Sequence, residues 1–205
     1  MSSLNPHQIR DYFSLMDHPA LQWEFPREAY VPVPEREAAV LIPLVVRDDG
    51  LYVLLTKRTD HLYHHPGQVS FPGGGVEEGD GSPAATALRE TFEEIGLAEQ
   101  HIELIGELPS YHTGTGFAVQ PVVGLVHPPF TLTPDEFEVA EIFEMPLTFV
   151  LDFNNHQQET RFLGGRDRTY WVLPWQHYHI WGATAGMLVG LSRFLHAAHQ
   201  HTRQK

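Results

Sequence analysis

The stretch from Ser82 to Gly96 is the tightest constraint in the chain, because its ends and its interior are all specified. A serine can accept a hydrogen bond from an unpaired amide of a first helical turn, and Pro83 suits the first helical position. Residues 84–95 are mostly strong helix formers, and Gly96 supplies a left-handed stop. A helix over this span places Glu90, Glu93 and Glu94 at i, i+3 and i+4, on one face. Like charges at that spacing cost about 0.2–0.5 kcal/mol per pair, and the last turns of a helix favour cations instead. Local helix physics therefore disfavours the cluster twice, and a hard divalent cation reverses the sign. Taken alone, the three glutamates also fit a solvated acidic face with Arg89 paired to Glu93. They do not stand alone. Phe71-Pro72-Gly73-Gly74-Gly75 precedes them, a run of bare backbone that a ligand can approach closely, and Glu77, Glu78 and Asp80 add carboxylates to the connection.

The surrounding pattern predicts one domain over residues 1–205. Its core spans about 38–190, with an N-terminal extension at 1–37 and a polar C-terminal tail at 191–205. Apolar runs at 38–46 and 51–56, separated by Asp48-Asp49-Gly50, give a strand–turn–strand signal. Further strands are expected at 102–108, 117–126 and 170–173. Helices are expected at 6–16, just after Pro146, and over 182–198. A long loop at 61–75 reads as functional. Because strands and helices mix without βαβ alternation, the fold class is α/β (α+β), a sandwich with a mixed central sheet rather than a doubly wound one. His196, His199 and His201 read as a polar helix end rather than a metal site, and Trp171, Trp175, Tyr178 and Trp181 as core rather than a stacking platform.

The formal net charge of −13 disfavours attraction to nucleic acid or an anionic membrane. An anionic substrate is still compatible with it, provided metals or local cations offset the charge. With no cysteine there is no disulfide, thiolate metal site or thiol nucleophile. The first residues lack a signal-peptide core, and the apolar stretch at 181–195 is too short to span a bilayer, so a cytoplasmic protein is expected.

The segment from Gly73 to Leu97 resembles the Nudix box. Arg89-Glu90-Thr91-Phe92-Glu93-Glu94-Ile95-Gly96-Leu97 follows its REUxEExGU half, where U is apolar, with Thr91 in an apolar place. Asp80 takes the place of the box's first glutamate if one residue is inserted. Upstream, Leu54-Leu55-Thr56-Lys57-Arg58 and the run from His61 to Gly74 are similar to the LLTxR…LRxHxGQVxFPGG signature of coenzyme A pyrophosphatases within the Nudix superfamily, with Tyr63 in place of an arginine. The similarity extends over roughly 38–190.

That resemblance implies a Nudix α/β/α sandwich and hydrolysis of coenzyme A to 3′,5′-ADP and 4′-phosphopantetheine with Mg2+ or Mn2+. The implied metal ligands are Glu90 and Glu94, then Glu93, with a backbone carbonyl near Gly74. Arg89 would orient a glutamate of the box, and the general base is either Glu93 or Glu138, the latter on an acidic loop. Lys57, Arg58, His64 and His65, with the backbone of Gly73 and Gly74, are the expected substrate contacts. Alternatives are a Nudix pyrophosphatase acting on ADP-ribose, dinucleoside polyphosphates or nucleoside triphosphates, and a non-catalytic nucleotide-sensing domain. The partner expected is a small molecule, with a homodimer as one assembly the reading allows.

Overall fold

The computed structural model describes residues 4–27, 36–62, 65–163 and 165–204. The Asp48-Asp49 turn folds β1 (Arg36–Arg47) and β2 (Gly50–Arg58) into an antiparallel pair, with Arg47 opposite Gly50. On its other side β1 runs parallel to β7 (Phe117–Val126), from Arg36 opposite Phe117 to Val45 opposite Val126. The central sheet has the order β3 (Val69–Ser70), β2, β1, β7, β5 (Ile102–Glu107). Three more strands join it: β4 (Gly73–Gly75) on β1, β6 (Tyr111–His112) on β7 and β8 (Val139–Pro146) on β2. All of these other pairings are antiparallel, so the sheet is mixed.

Both faces of this sheet are apolar, and the two-residue period of the strands sorts their side chains between them. Leu41, Val45, Leu54, Val122 and Val126 pack with Ala87 and Ile95 of α2 (Pro83–Ile95). Ile42, Leu44, Val53, Leu55, Val123 and Leu125 face the opposite layer. That layer holds α1 (Pro6–Phe13), α3 (Leu147–Leu151) and α4 (Gly182–Arg203). It is completed by a three-stranded sheet in the order β11 (Tyr178–Trp181), β10 (Arg166–Trp175), β9 (Gln157–Leu163). The result is the expected α/β/α sandwich with a mixed sheet.

Several boundaries differ from expectation. Residues 191–205 are not a polar tail: α4 continues to Arg203, and Leu191, Phe194, Leu195 and Ala198 are fully buried. Residues 1–37 are more than an extension, since Leu4, Ile9, Tyr12 and Phe13 enter the same core. The reason is mutual. The ring of Phe13 packs edge-on to Phe194 at 4.9 Å, and Tyr12 bonds through its hydroxyl to His199 at 2.7 Å. The loop at 61–75 contains β3 and β4, and β8, β9 and β11 lie outside the expected strands. No helix among the described residues is long and apolar enough to cross a membrane.

If α4 is integral to the core, truncating Phe194 removes a ring that touches both Phe13 and Trp23. Phe194→Ala is expected to cost about 3–5 kcal/mol of unfolding free energy by denaturant titration. A loss near zero would return this segment to the status of a tail.

Candidate active site

The ends of α2 are fixed as the sequence requires. Ser82 Oγ accepts from the Ala85 amide at 3.2 Å, and Gly96 adopts a left-handed φ of 67° while its amide donates to Phe92 O at 2.8 Å. Thr91, the polar residue at an apolar box position, is fully buried, and its hydroxyl donates to Ala87 O one turn back at 2.6 Å. Its polar atom is satisfied inside the helix, so the position still functions as core.

With the helix seated, Glu90 and Glu94 lie against the backbone of β4. A Cβ on Gly74 would stand 2.4–2.6 Å from the carboxyl atoms of Glu90, so any side chain there would displace that carboxylate. The Gly73 amide donates to Glu94 Oε2 at 3.3 Å. Glu94 is only 6% exposed, and burial pushes its carboxyl up to about 8, opposed by the Gly73 bond and by the Arg58 charge. Burial also raises Glu90, against the pull of Arg89.

Two arginines hold the acidic groups around this pair. The Arg89 guanidinium donates to both carboxylate oxygens of Asp80 at 3.1 and 3.0 Å, to Glu90 at 2.9 Å, to Glu93 at 3.1 Å and to Gly75 O at 3.1 Å. Its hydrogen bonds, with those from the Glu77 amide and Thr86 hydroxyl, hold Asp80 well below the usual carboxylate range. Asp80 is thus the anchor of Arg89. Arg58 stands between Glu94 at 3.7 Å and Glu138 at 3.6 Å. Glu138 is brought there by backbone pairing: Thr59 N donates to Glu138 O at 2.9 Å, and Thr59 Oγ1 to Phe137 O at 2.8 Å. Further back, Thr133 N and Asp135 N donate to the last carbonyls of α2, at Ile95 and Glu94.

Among the described residues no three acidic or imidazole groups form a ready-made metal cluster. Glu93 is 58% exposed and engaged by Arg89 rather than gathered with Glu90 and Glu94. The donors at β4 nonetheless suit a hard cation. Mg2+ is usually held by one or two carboxylates together with waters and substrate phosphates, and Glu94 is a buried carboxylate with the Arg58 guanidinium 3.7 Å away. Glu90 and Glu94, with the carbonyl of Gly74, would hold such an ion.

A cavity of about 440 Å3 opens directly beside Gly73 and Arg58. Its wall includes Val69, Phe71, Met187, Tyr170 and Trp181, mostly apolar, with Arg168 and Gln68 as polar groups. Of the expected substrate contacts, Arg58, His65 and Gly73 line it. Lys57 does not; it stands opposite Val69 and Glu141 in the sheet. His64, like Tyr63, lies outside the described residues. Among the four aromatics read as core, Trp171 packs beneath Arg193, Trp175 against Phe149, and Tyr178 stacks on Phe143, whereas Trp181 faces the cavity 5.3 Å from Tyr170. Sequence reading missed Tyr170, Arg168, Gln68 and the Thr113-Gly114-Thr115 turn. The threonine–glycine run was a local signal for that turn. Tyr170 and Arg168 had none, because a strand pairing far from the box brings them there.

Comparison with known proteins identifies the family of this chain. The NUDIX domain family matches residues 35–164. A relative from Enterobacter sp. (strain 638), bearing the name "Uncharacterized Nudix hydrolase NudL", is 47% identical over 75% of this chain and 79% of its own length. Its namesake from Salmonella paratyphi B is 42% identical over 80% of this chain and 84% of its own. Among solved structures, a Nudix hydrolase from M. smegmatis, RenU, is 19% identical with a TM-score of 0.48, covering 61% of this chain and 80% of that one.

Glu94 also gives a pH signature in chelator. A carboxyl whose folded pKa is raised contributes stability that is complete below its unfolded value, about 4.3, and is lost as pH rises through about 8. Between those limits the unfolding free energy of the metal-free protein should fall, and Glu94→Gln should flatten the decline. Parallel pH profiles for the two proteins would contradict the burial of this carboxylate.

Proposed function

Because the chain belongs to the Nudix hydrolase family, we propose that it splits the diphosphate of coenzyme A and its derivatives into 3′,5′-ADP and 4′-phosphopantetheine or acyl-phosphopantetheine. The observation that carries this reading is the contact of Glu90 and Glu94 with the Gly73–Gly74 backbone at the mouth of the cavity. Coenzyme A is favoured over other diphosphates by the run Gly67-Gln68-Val69-Ser70-Phe71-Pro72-Gly73-Gly74, which carries the subfamily resemblance and of which Gln68, Val69, Ser70, Phe71 and Gly73 line the cavity.

Glu90, Glu94 and the Gly74 carbonyl would hold Mg2+ or Mn2+. The ion, when bound, neutralises the diphosphate and acidifies water. Arg89, locked by Asp80, sets the positions of Glu90 and Glu93 and does not reach substrate. Arg58 and His65 face the phosphates at the cavity mouth. Glu138 is the better base of the two candidates, because Glu93 is taken up by Arg89 while Glu138 stands across Arg58 from Glu94. Glu138 takes a proton from the attacking water. The water oxygen then bonds to one phosphorus, and the bond from that phosphorus to the bridging oxygen breaks. The leaving phosphate keeps the bonding pair.

The test is a substrate panel with Mg2+ or Mn2+ containing coenzyme A, acyl-CoA thioesters, ADP-ribose and dATP, with products identified by mass. Coenzyme A or its thioesters should be turned over best. Preferred cleavage of ADP-ribose or dATP would overturn the substrate assignment, and no turnover of any would favour a sensing domain. Glu94→Gln should abolish turnover. Glu138→Gln should lower kcat by about 10²–10⁴, and Glu93→Gln by less; the reverse order would make Glu93 the base.

A further inference from the structure

Strand β9 is a long, regularly paired sheet edge. It pairs with β10 in unbroken register over seven residue pairs, from Leu163 opposite Arg166 to Gln157 opposite Val172. Among the described residues no strand covers its other side. Natural edges are usually blunted by brevity, proline, a bulge or charged side chains, lysine above all. The sequence Gln157-Gln158-Glu159-Thr160-Arg161-Phe162-Leu163 has no proline or lysine, and its pairing has no bulge. Phe162, near its end, is 71% exposed.

The charges of the strand are symmetric about one residue. Glu159 and Arg161 flank Thr160 and share a face, where they approach to 3.7 Å within the chain. Tyr170 anchors that face, its hydroxyl donating to Glu159 Oε2 at 3.1 Å while the Arg161 guanidinium lies 5.7 Å from its ring. We propose that β9 is a homodimer seam, pairing antiparallel with β9 of a second copy about a two-fold axis at Thr160. In that register Glu159 of each copy stands opposite Arg161 of the other, and Phe162 opposite Gln158. Moving the axis to Glu159 sets carboxylate against carboxylate, and moving it to Arg161 sets guanidinium against guanidinium; directly opposed like charges destabilise a strand pair. Two chains of net charge −13 repel in bulk, so a seam that matches opposite charges twice is what their association requires. The two small sheets become one sheet of six strands, β11-β10-β9 continuing into the second copy's β9-β10-β11. This inference is independent of the substrate assignment.

Sedimentation of the intact chain should give twice its mass of 23.3 kDa. Because the chain has no cysteine, Thr160→Cys provides a direct probe. Its sulfur should meet its own copy across the axis and form a disulfide-linked dimer under mild oxidation, whereas Gln157→Cys, placed opposite Leu163, should not. Arg161→Glu should give a monomer with unchanged circular dichroism, and Glu159→Arg combined with Arg161→Glu should restore the dimer. A monomeric wild-type chain throughout the micromolar range, a dimer untouched by Arg161→Glu, or equal cross-linking of both cysteine variants would each overturn the proposal.

Discussion

The close approach of α2 to β4 is the constraint on which the site depends. A helix carrying carboxylates at i and i+4 can press them onto a strand only where the strand has no side chains. Gly73 and Gly74 provide that surface: one amide meets Glu94, and the space of one missing Cβ is taken by Glu90. The capped start at Ser82 and the left-handed stop at Gly96 set the rotation and length of the helix, so that these two glutamates, rather than their neighbours, face the strand. Sheet, helix and acid pair are parts of a single packing solution.

The electrostatics follow from that packing. Placing two carboxylates where water is scarce raises their proton affinity, and the protein answers with guanidinium groups on either side. Arg89 serves the outer side, tied down by Asp80, and Arg58 the inner side, between Glu94 and Glu138. Arginine suits such places because its planar fork satisfies several acceptors at once without losing its charge. The same two arginines tie the helix to the strands and loop around it, so charge and geometry are controlled by the same residues.

The sequence was most legible where chemistry is local. Ser82, Pro83 and Gly96 mark the helix ends through rules that act within one turn, and the spacing of Glu90, Glu93 and Glu94 is a helical fact before it is a catalytic one. The strands with long apolar runs were visible for similar reasons. The edge strand β9, mostly polar, offered no apolar alternation to read, and β11 is too short to show one. Lys57 separates from the rest of the site because of the sheet register, which spacing alone does not reveal, whereas Glu93 is drawn off by the i,i+4 pairing with Arg89 that spacing already allowed. Likewise, the buried half of residues 191–205 looked polar because its histidines and arginines alternate with the apolar residues that face α1 and the sheet. Reading that segment correctly needs the partner helix.

The embrace of α1 by α4 bears on how the chain is made. Tyr12 and His199 are 187 positions apart yet share a hydrogen bond. On a ribosome the first helix therefore emerges long before its counterpart exists, and the part of its apolar face that meets α4 stays uncovered until the intervening residues have been made. Contacts of such long sequence separation slow folding and lengthen exposure to aggregation. The nascent polypeptide thus has a vulnerable interval set by elongation time, during which a chaperone would find its natural client surface in Ile9, Tyr12 and Phe13.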